Sequence, residues 1–131
     1  MNDTDRQFLF DLRKSLLHLH KTLLDWERAA YERVHGRVSS TELLKATMED
    51  PQFAWLRPIS ELIVRIDESV DTEPQNGPVD VEAIVARARA ATAADETGTA
   101  HAQRYHSALQ EHPDAVFAHR DVTNVLKGRS G

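Results

Sequence analysis

The sequence predicts an all-α protein, a helical bundle built on one long N-terminal helix. Apolar residues recur at steps of three and four along the chain, and capping residues stand before the predicted helices. No segment alternates polar and apolar residues as a half-buried strand would. Because 131 residues suffice for one hydrophobic core, we expect a single domain over residues 1–131.

The first predicted helix is the longest and runs from about Asp5 to His35. Thr4 and Gln7 have the spacing of a capping box, and Gly36 is a typical C-terminal stop. At 1.5 Å per residue this helix would span roughly 45 Å, so other helices should pack against it. Its apolar stripe comprises Leu9, Leu12, Leu16, Leu19, Leu23, Trp26, Ala30 and Val34.

The second helical segment is predicted to be kinked by proline. Ser39 and Glu42 have capping-box spacing, and their short helix should end before Pro51. Pro51 suits a first helical turn, whereas Pro58 should kink or restart the helix that follows. The broad apolar face of that helix indicates deep burial and comprises Trp55, Ile59, Leu62, Ile63, Ile66 and Val70.

Two to three shorter helices are predicted in the C-terminal part. Residues 71–79 should form an exposed loop, since they contain two prolines and an Asn-Gly pair. Asp80 should cap an alanine-rich helix, and Pro113 should separate the last two helices. We expect the apolar face of the final helix to carry Val116, Val122 and Val125, and residues 128–131 to form a flexible tail.

Composition narrows the functional classes. The chain has no cysteine, which excludes disulfides and thiolate chemistry and fits a reducing compartment, so we expect a cytoplasmic protein. Its net charge of −5 disfavours nucleic acid, and no export signal or membrane-spanning stretch is visible. Glycine-rich phosphate loops and the G-x-S-x-G elbow are both missing. The sequence therefore favours a non-enzymatic protein and predicts no cofactor.

Glu27 is the most unusual residue of the first helix, because it projects into the apolar stripe together with His20. A carboxylate buried there needs a partner. One interpretation is an ion pair with Arg65 or Arg89, which would fix the register of the bundle. A histidine of the final helix, His119, could also hydrogen bond to it.

The alternative interpretation is a metal site in the bundle core. Glu27 and His20 would supply ligands from the first helix, and His101, His112 or His119 would supply the rest. Zinc, iron or manganese would suit such a set. Neither the ferritin-like pattern, which needs a Glu-x-x-His on each of two helices, nor the hemerythrin-like pattern is present.

Phe53 and Trp55, between two prolines, form the densest hydrophobic group of the chain. They predict either a core corner or an exposed patch for dimerisation. The leading functional prediction is a protein-interaction or self-associating module, such as a homodimer along the first helix. A metal-binding bundle is the alternative, and a small-molecule pocket lined by Tyr31 and Tyr105 is a third.

Overall fold

The computed structural model describes residues 1–72 and 79–130, which form six α-helices and one 3-10 segment. No strand occurs in these two ranges, so the all-α prediction is confirmed. The elements are α1 (Asp3–His35), α2 (Ser40–Glu49), the 3-10 segment (Pro51–Leu56), α3 (Arg57–Thr72), α4 (Val81–Ala91), α5 (Ala100–Glu111) and α6 (Pro113–Ser130).

Helix α1 begins two residues earlier than the sequence predicted. Its cap is Asn2, whose side-chain oxygen accepts a hydrogen bond from the backbone N–H of Asp5 at 2.7 Å, so the cap predicted at Thr4 is wrong. Asparagine is as strong a cap as threonine, and the earlier start places Asp3 and Asp5 in the first turn, at the positive end of the helix dipole. Gly36 ends the helix with φ of 82°, a backbone conformation that favours glycine.

Each of the two prolines of this region lies at the start of a helical segment. Ser39 caps α2, its hydroxyl accepting from the Glu42 N–H at 3.1 Å, which confirms the predicted cap. Pro51 opens the 3-10 segment after Asp50, whose side chain accepts from the Gln52 N–H at 2.9 Å. Pro58 is the second residue of α3, where a missing N–H costs no helical hydrogen bond.

The C-terminal helices begin and end largely where predicted. Asp80 caps α4 by accepting from the Ala83 N–H at 3.0 Å. His112 separates α5 from α6: its N–H donates to the Ala108 carbonyl at 2.8 Å, and its own carbonyl accepts from the Ala115 N–H at 2.9 Å. Of the predicted loop, residues 71 and 72 belong to α3, residue 79 is not helical, and residues 73–78 lie outside the described residues.

Two sequence expectations for the helix faces are wrong in part. In α6 the face toward the core contains Ala115, Ala118, Val122 and Leu126, so the prediction is confirmed for Val122, whereas Val116 is exposed. The small alanines allow α6 to approach α1 closely, and Ala115 takes the buried position predicted for Val116. In α1 the stripe stops before Val34, which is exposed because the end of the helix extends past the core.

Helix α6 extends to Ser130 and so includes residues 128–130 of the predicted tail. The guanidinium of Arg129 bonds to Asp5 of α1 and to Glu82 of α4, the latter at 3.1 Å. These ion pairs connect the last turn of α6 to two other helices.

Helix α1 contacts α3, α6 and the 3-10 segment, and α4 contacts both α3 and α6. Leucines at 0% exposure on α1 line the centre of the resulting core: Leu9, Leu12, Leu16, Leu19 and Leu23. None of the described helices is long and apolar enough to cross a membrane.

Candidate functional site

Glu27 is the centre of a buried polar cluster that joins α1, the 3-10 segment and α5. Its side chain is 1% exposed and accepts from Trp55 Nε1 at 2.8 Å. Arg104 donates to it through two nitrogens, Nε at 2.9 Å and Nη2 at 2.6 Å, and Gln52 Nε2 lies 3.3 Å away. This two-point arginine pairing is the strongest geometry available to a carboxylate.

Aromatic rings complete the cluster around Arg104. Its guanidinium carbon lies 4.2 Å from the ring centroid of Trp26, and Trp26 meets Trp55 edge to face with centroids 6.2 Å apart. The contact with Glu27 raises the pKa of Arg104. The predicted ion pair of Glu27 is therefore present, but its partner is Arg104 and not Arg65 or Arg89.

His101 bonds to two backbone carbonyls and not to Glu27. Its Nδ1 lies 2.5 Å from the Trp55 oxygen and its Nε2 lies 2.7 Å from the Ala91 oxygen. Both ring nitrogens are thus within hydrogen-bond distance of a backbone carbonyl. His101 thereby links the start of α5 to the 3-10 segment and to the end of α4.

His119 is hydrogen bonded to Tyr105, which corrects the expectation that it would reach Glu27. The Tyr105 hydroxyl lies 2.7 Å from His119 Nδ1, and the Tyr105 side chain is fully buried. Burial raises the pKa of the Tyr105 phenol and lowers the pKa of His119. Both groups are therefore neutral in this contact, and the phenol O–H donates a hydrogen bond to the ring nitrogen.

The predicted metal ligands do not come together. Among residues 1–72 and 79–130, no group of three or more histidine and carboxylate side chains could hold a metal ion. Glu27 is occupied by Arg104 and Trp55, and His101 by two carbonyls. His112 lies at the junction of α5 and α6, and His20 opens on a separate groove.

Phe53 and Trp55 are core residues, at 1% and 8% exposure, so they do not form an exposed interface patch. Tyr31 stacks on His35 and tilts against Phe53 with centroids 5.4 Å apart. Tyr105 is fully buried, and its ring contacts His101 and His119.

His20 lies in an apolar groove of about 510 Å³ where α1, α2, the 3-10 segment and α3 meet. Leu24 and Leu56 line the groove, together with Leu44 and Met48 of α2, both exposed. Burial lowers the pKa of His20, which favours the neutral ring. The groove is apolar enough to receive a hydrophobic side chain.

This groove is one end of a longer surface along the contact between α1 and α3, which run antiparallel. Arg13 pairs with Asp67 midway, and a second groove of about 480 Å³ lies between Phe10 and Val70. Three large apolar side chains are exposed beside the contact: Phe10 at 58%, Leu17 at 40% and Val64 at 54%.

We call this surface the α1–α3 face. It comprises Phe10, Lys14, Leu17, Lys21 and Leu24 of α1, and Glu61, Val64 and Glu68 of α3, with Arg13 and Asp67 between them. Phe10, Leu17 and Leu24 recur every seven residues, so they lie on one side of α1, beside the buried leucine stripe. The periodicity was a signal available from sequence, although the more regular buried stripe obscures it.

No protein-family model, no curated protein and no solved structure matches the chain. The geometry of the described residues is therefore the basis for the functional conclusion.

Proposed function

We propose that this protein is a non-enzymatic protein-interaction module that binds its partner through the α1–α3 face. The observation that carries the proposal is the alignment of Phe10, Leu17 and Val64, which are exposed on two neighbouring helices beside apolar grooves. Contiguous apolar surface rimmed by charge is typical of binding sites for other proteins.

The buried polar cluster around Glu27 supports a binding role over catalysis. The oxygens of Glu27 and both ring nitrogens of His101 are already within hydrogen-bond distance of protein groups. Polar groups that are hydrogen bonded within the protein stabilise a rigid scaffold, because a buried and paired network holds the helices that it joins in one arrangement. Such a scaffold would present the α1–α3 face with little loss of entropy on binding.

The other exposed apolar pair, Val116 and Phe117 of α6, provides a comparison surface. Phe117 is 56% exposed, but the guanidinium of Arg120 lies 5.5 Å from its ring centroid. Because neither groove beside the α1–α3 face adjoins that ring, Phe117 is a suitable control position.

Site-specific photo-crosslinking in the native cells tests the proposal. A photoreactive amino acid replaces Leu17 in one chain and Phe117 in another, and the two chains are irradiated at equal abundance. We expect a discrete crosslinked protein from position 17 and none from position 117. The mass of the product distinguishes a second copy of this 14.8 kDa chain from a different protein. Absence of a discrete product at position 17 would refute the proposed function.

A further inference from the structure

A small pocket of about 270 Å³ lies where the C-terminal end of α4 packs against α6. None of its lining residues belongs to α1 or α3, so it is separate from the α1–α3 face. Pockets for drug-sized ligands have roughly 300 to 1,000 Å³, so this pocket suits a smaller molecule. It is lined by Arg89, Thr92, His119, Thr123, Leu126 and Lys127.

The charged residues that line the pocket are both cations, Arg89 and Lys127. Among the described residues, no aspartate or glutamate lines it. Glu82, about two turns before Arg89 on α4, is paired with Arg129 at 3.1 Å. Asp121 lies on another side of α6, about 200° around the helix from the pocket residues two positions before and after it. The pocket is therefore positive on a chain whose net charge is −5.

His119 adds a neutral donor to the two cations. The Tyr105 hydroxyl donates to its Nδ1 at 2.7 Å, so the single proton of the neutral ring is on Nε2. Within the described part of the chain, no protein group accepts a hydrogen bond from that Nε2. A half-buried N–H of this kind is satisfied only when water or a ligand accepts from it.

The two threonines of the pocket supply no further donor. Each hydroxyl donates to a backbone carbonyl of its own helix, that of Thr92 at 2.8 Å and that of Thr123 at 2.9 Å. The donors left for a ligand are therefore the two cations and the His119 Nε2–H. Three donors from two helices suit a tetrahedral oxyanion, whose oxygens point in several directions, better than a planar carboxylate.

From these features we infer that the pocket between α4 and α6 binds a phosphate group, either as inorganic phosphate or as part of a small phosphoester. Arg89 and Lys127 balance its negative charge, and the His119 Nε2–H donates to one of its oxygens. Because the pocket shares no residue with the α1–α3 face, the inference does not depend on the proposed function.

An NMR titration of the full chain tests the inference, with ionic strength held constant by sodium chloride. The ligands are inorganic phosphate, methyl phosphate and acetate, and the readouts are the His119 Nε2 signal and the Thr123 amide signal. We expect both signals to shift and saturate with either phosphate compound, while the ring signals of His20 stay unchanged. Acetate should bind about tenfold more weakly, because its planar group meets fewer of the donors.

Two variants with matched controls test the role of the cations. Lys127→Gln and Arg89→Gln should each weaken phosphate binding about tenfold, because each removes one charge-assisted hydrogen bond. The controls Lys45→Gln and Arg87→Gln remove the same charges at exposed positions that do not line the pocket. They should leave the affinity for phosphate unchanged.

Several results would overturn the inference. They are shifts that increase linearly without saturating, a saturating change that leaves His119 Nε2 unmoved, acetate binding as tight as phosphate binding, and equal affinities for each variant and its control. Tighter binding of methyl phosphate than of inorganic phosphate would assign the pocket to a phosphorylated small molecule, and the reverse order would assign it to free phosphate. Either order supports a phosphate site.

Discussion

At the scale of single residues, one buried carboxylate joins three parts of the chain. Glu27 belongs to α1, Trp55 to the 3-10 segment and Arg104 to α5, and all three meet within hydrogen-bond distance. The two charges of the pair differ in surroundings, since Glu27 is 1% exposed and the Arg104 side chain is 37% exposed. Removing the charge of Arg104 and removing the charge of Glu27 should therefore lower the free energy of unfolding by different amounts.

We predict that Arg104→Met destabilises the protein more than Glu27→Gln does. Arg104→Met leaves a carboxylate in the core and should cost about 3 to 4 kcal/mol in free energy of unfolding. Glu27→Gln leaves a cation that water partly solvates and should cost about 2 kcal/mol. Urea denaturation of the two variants and the double variant measures both costs and their coupling. The reverse order, or additive costs in the double variant, would contradict this account of the cluster.

Two partly buried histidines, His20 and His119, predict a loss of stability in mild acid. Burial lowers the pKa values of His20 and His119 below 6.5, so the unfolded chain binds protons that the folded chain resists. This contribution to stability is complete above pH 6.5 and is lost as the pH falls through the folded pKa values. We expect the free energy of unfolding, measured in urea, to fall as the pH is lowered below about 6.5. A chain with His20→Leu and His119→Gln should show a flatter dependence, and an equal slope would refute the assignment.

Sequence reasoning predicted these residues only in part. The 3.6-residue period placed Glu27 inside the apolar stripe of α1, and the cost of a lone buried charge predicted its arginine. The choice of Arg104 over Arg65 or Arg89 depends on how α5 packs beside the 3-10 segment. Periodicity within one helix contains no information about that packing.

At the scale of elements, α2 is the helix with the least tertiary support. Ala46 is its one residue classed as buried, whereas each of α4 and α5 buries several. Its start therefore depends strongly on the Ser39 cap. Local signals of this kind were readable from sequence, which explains why most helix boundaries were predicted closely. The start of α1 was not, because two suitable capping residues lie two positions apart.

We predict that Ser39→Ala loosens α2 without loosening the core. Loss of the cap should cost about 1 kcal/mol, and the short helix should open locally before the rest of the chain unfolds. Hydrogen exchange followed by mass spectrometry should show faster exchange in peptides from α2 and unchanged exchange in the buried part of α1. Equal acceleration in both helices would show that α2 opens only with global unfolding.

The exposed apolar residues should contribute little to the stability of the isolated chain. Leu17→Glu replaces a side chain at the surface, so we expect a change of less than about 0.5 kcal/mol in free energy of unfolding. Leu16→Glu, one residue away in the core, should prevent stable folding. Thermal unfolding of the two variants distinguishes a surface available for binding from one required for the fold. A large decrease in the free energy of unfolding for Leu17→Glu would show that Leu17 is required for the fold.

At the scale of the whole molecule, the fold and the proposed function depend on adjacent stripes of α1. The buried leucines organise the bundle, and the stripe beside them, with Phe10, Leu17 and Leu24, faces the contact with α3. The sequence predicted the first stripe and the all-α class directly. The second was not predicted, since exposure depends on where α2 and α3 pack, and the long-range pairing of helices is set by the complete core.

The most direct test of the α1–α3 face is a map of the methyl NMR signals that change when the protein captured by crosslinking at position 17 is added. The account predicts changes at Leu17, Leu24 and Val64, with Val116 on α6 unaffected. The same titration of the Leu17→Glu variant should produce no saturating change. Changes centred on Val116, or none at Leu17 and Val64 when the captured protein is in excess, would contradict the claim that this face is the binding surface.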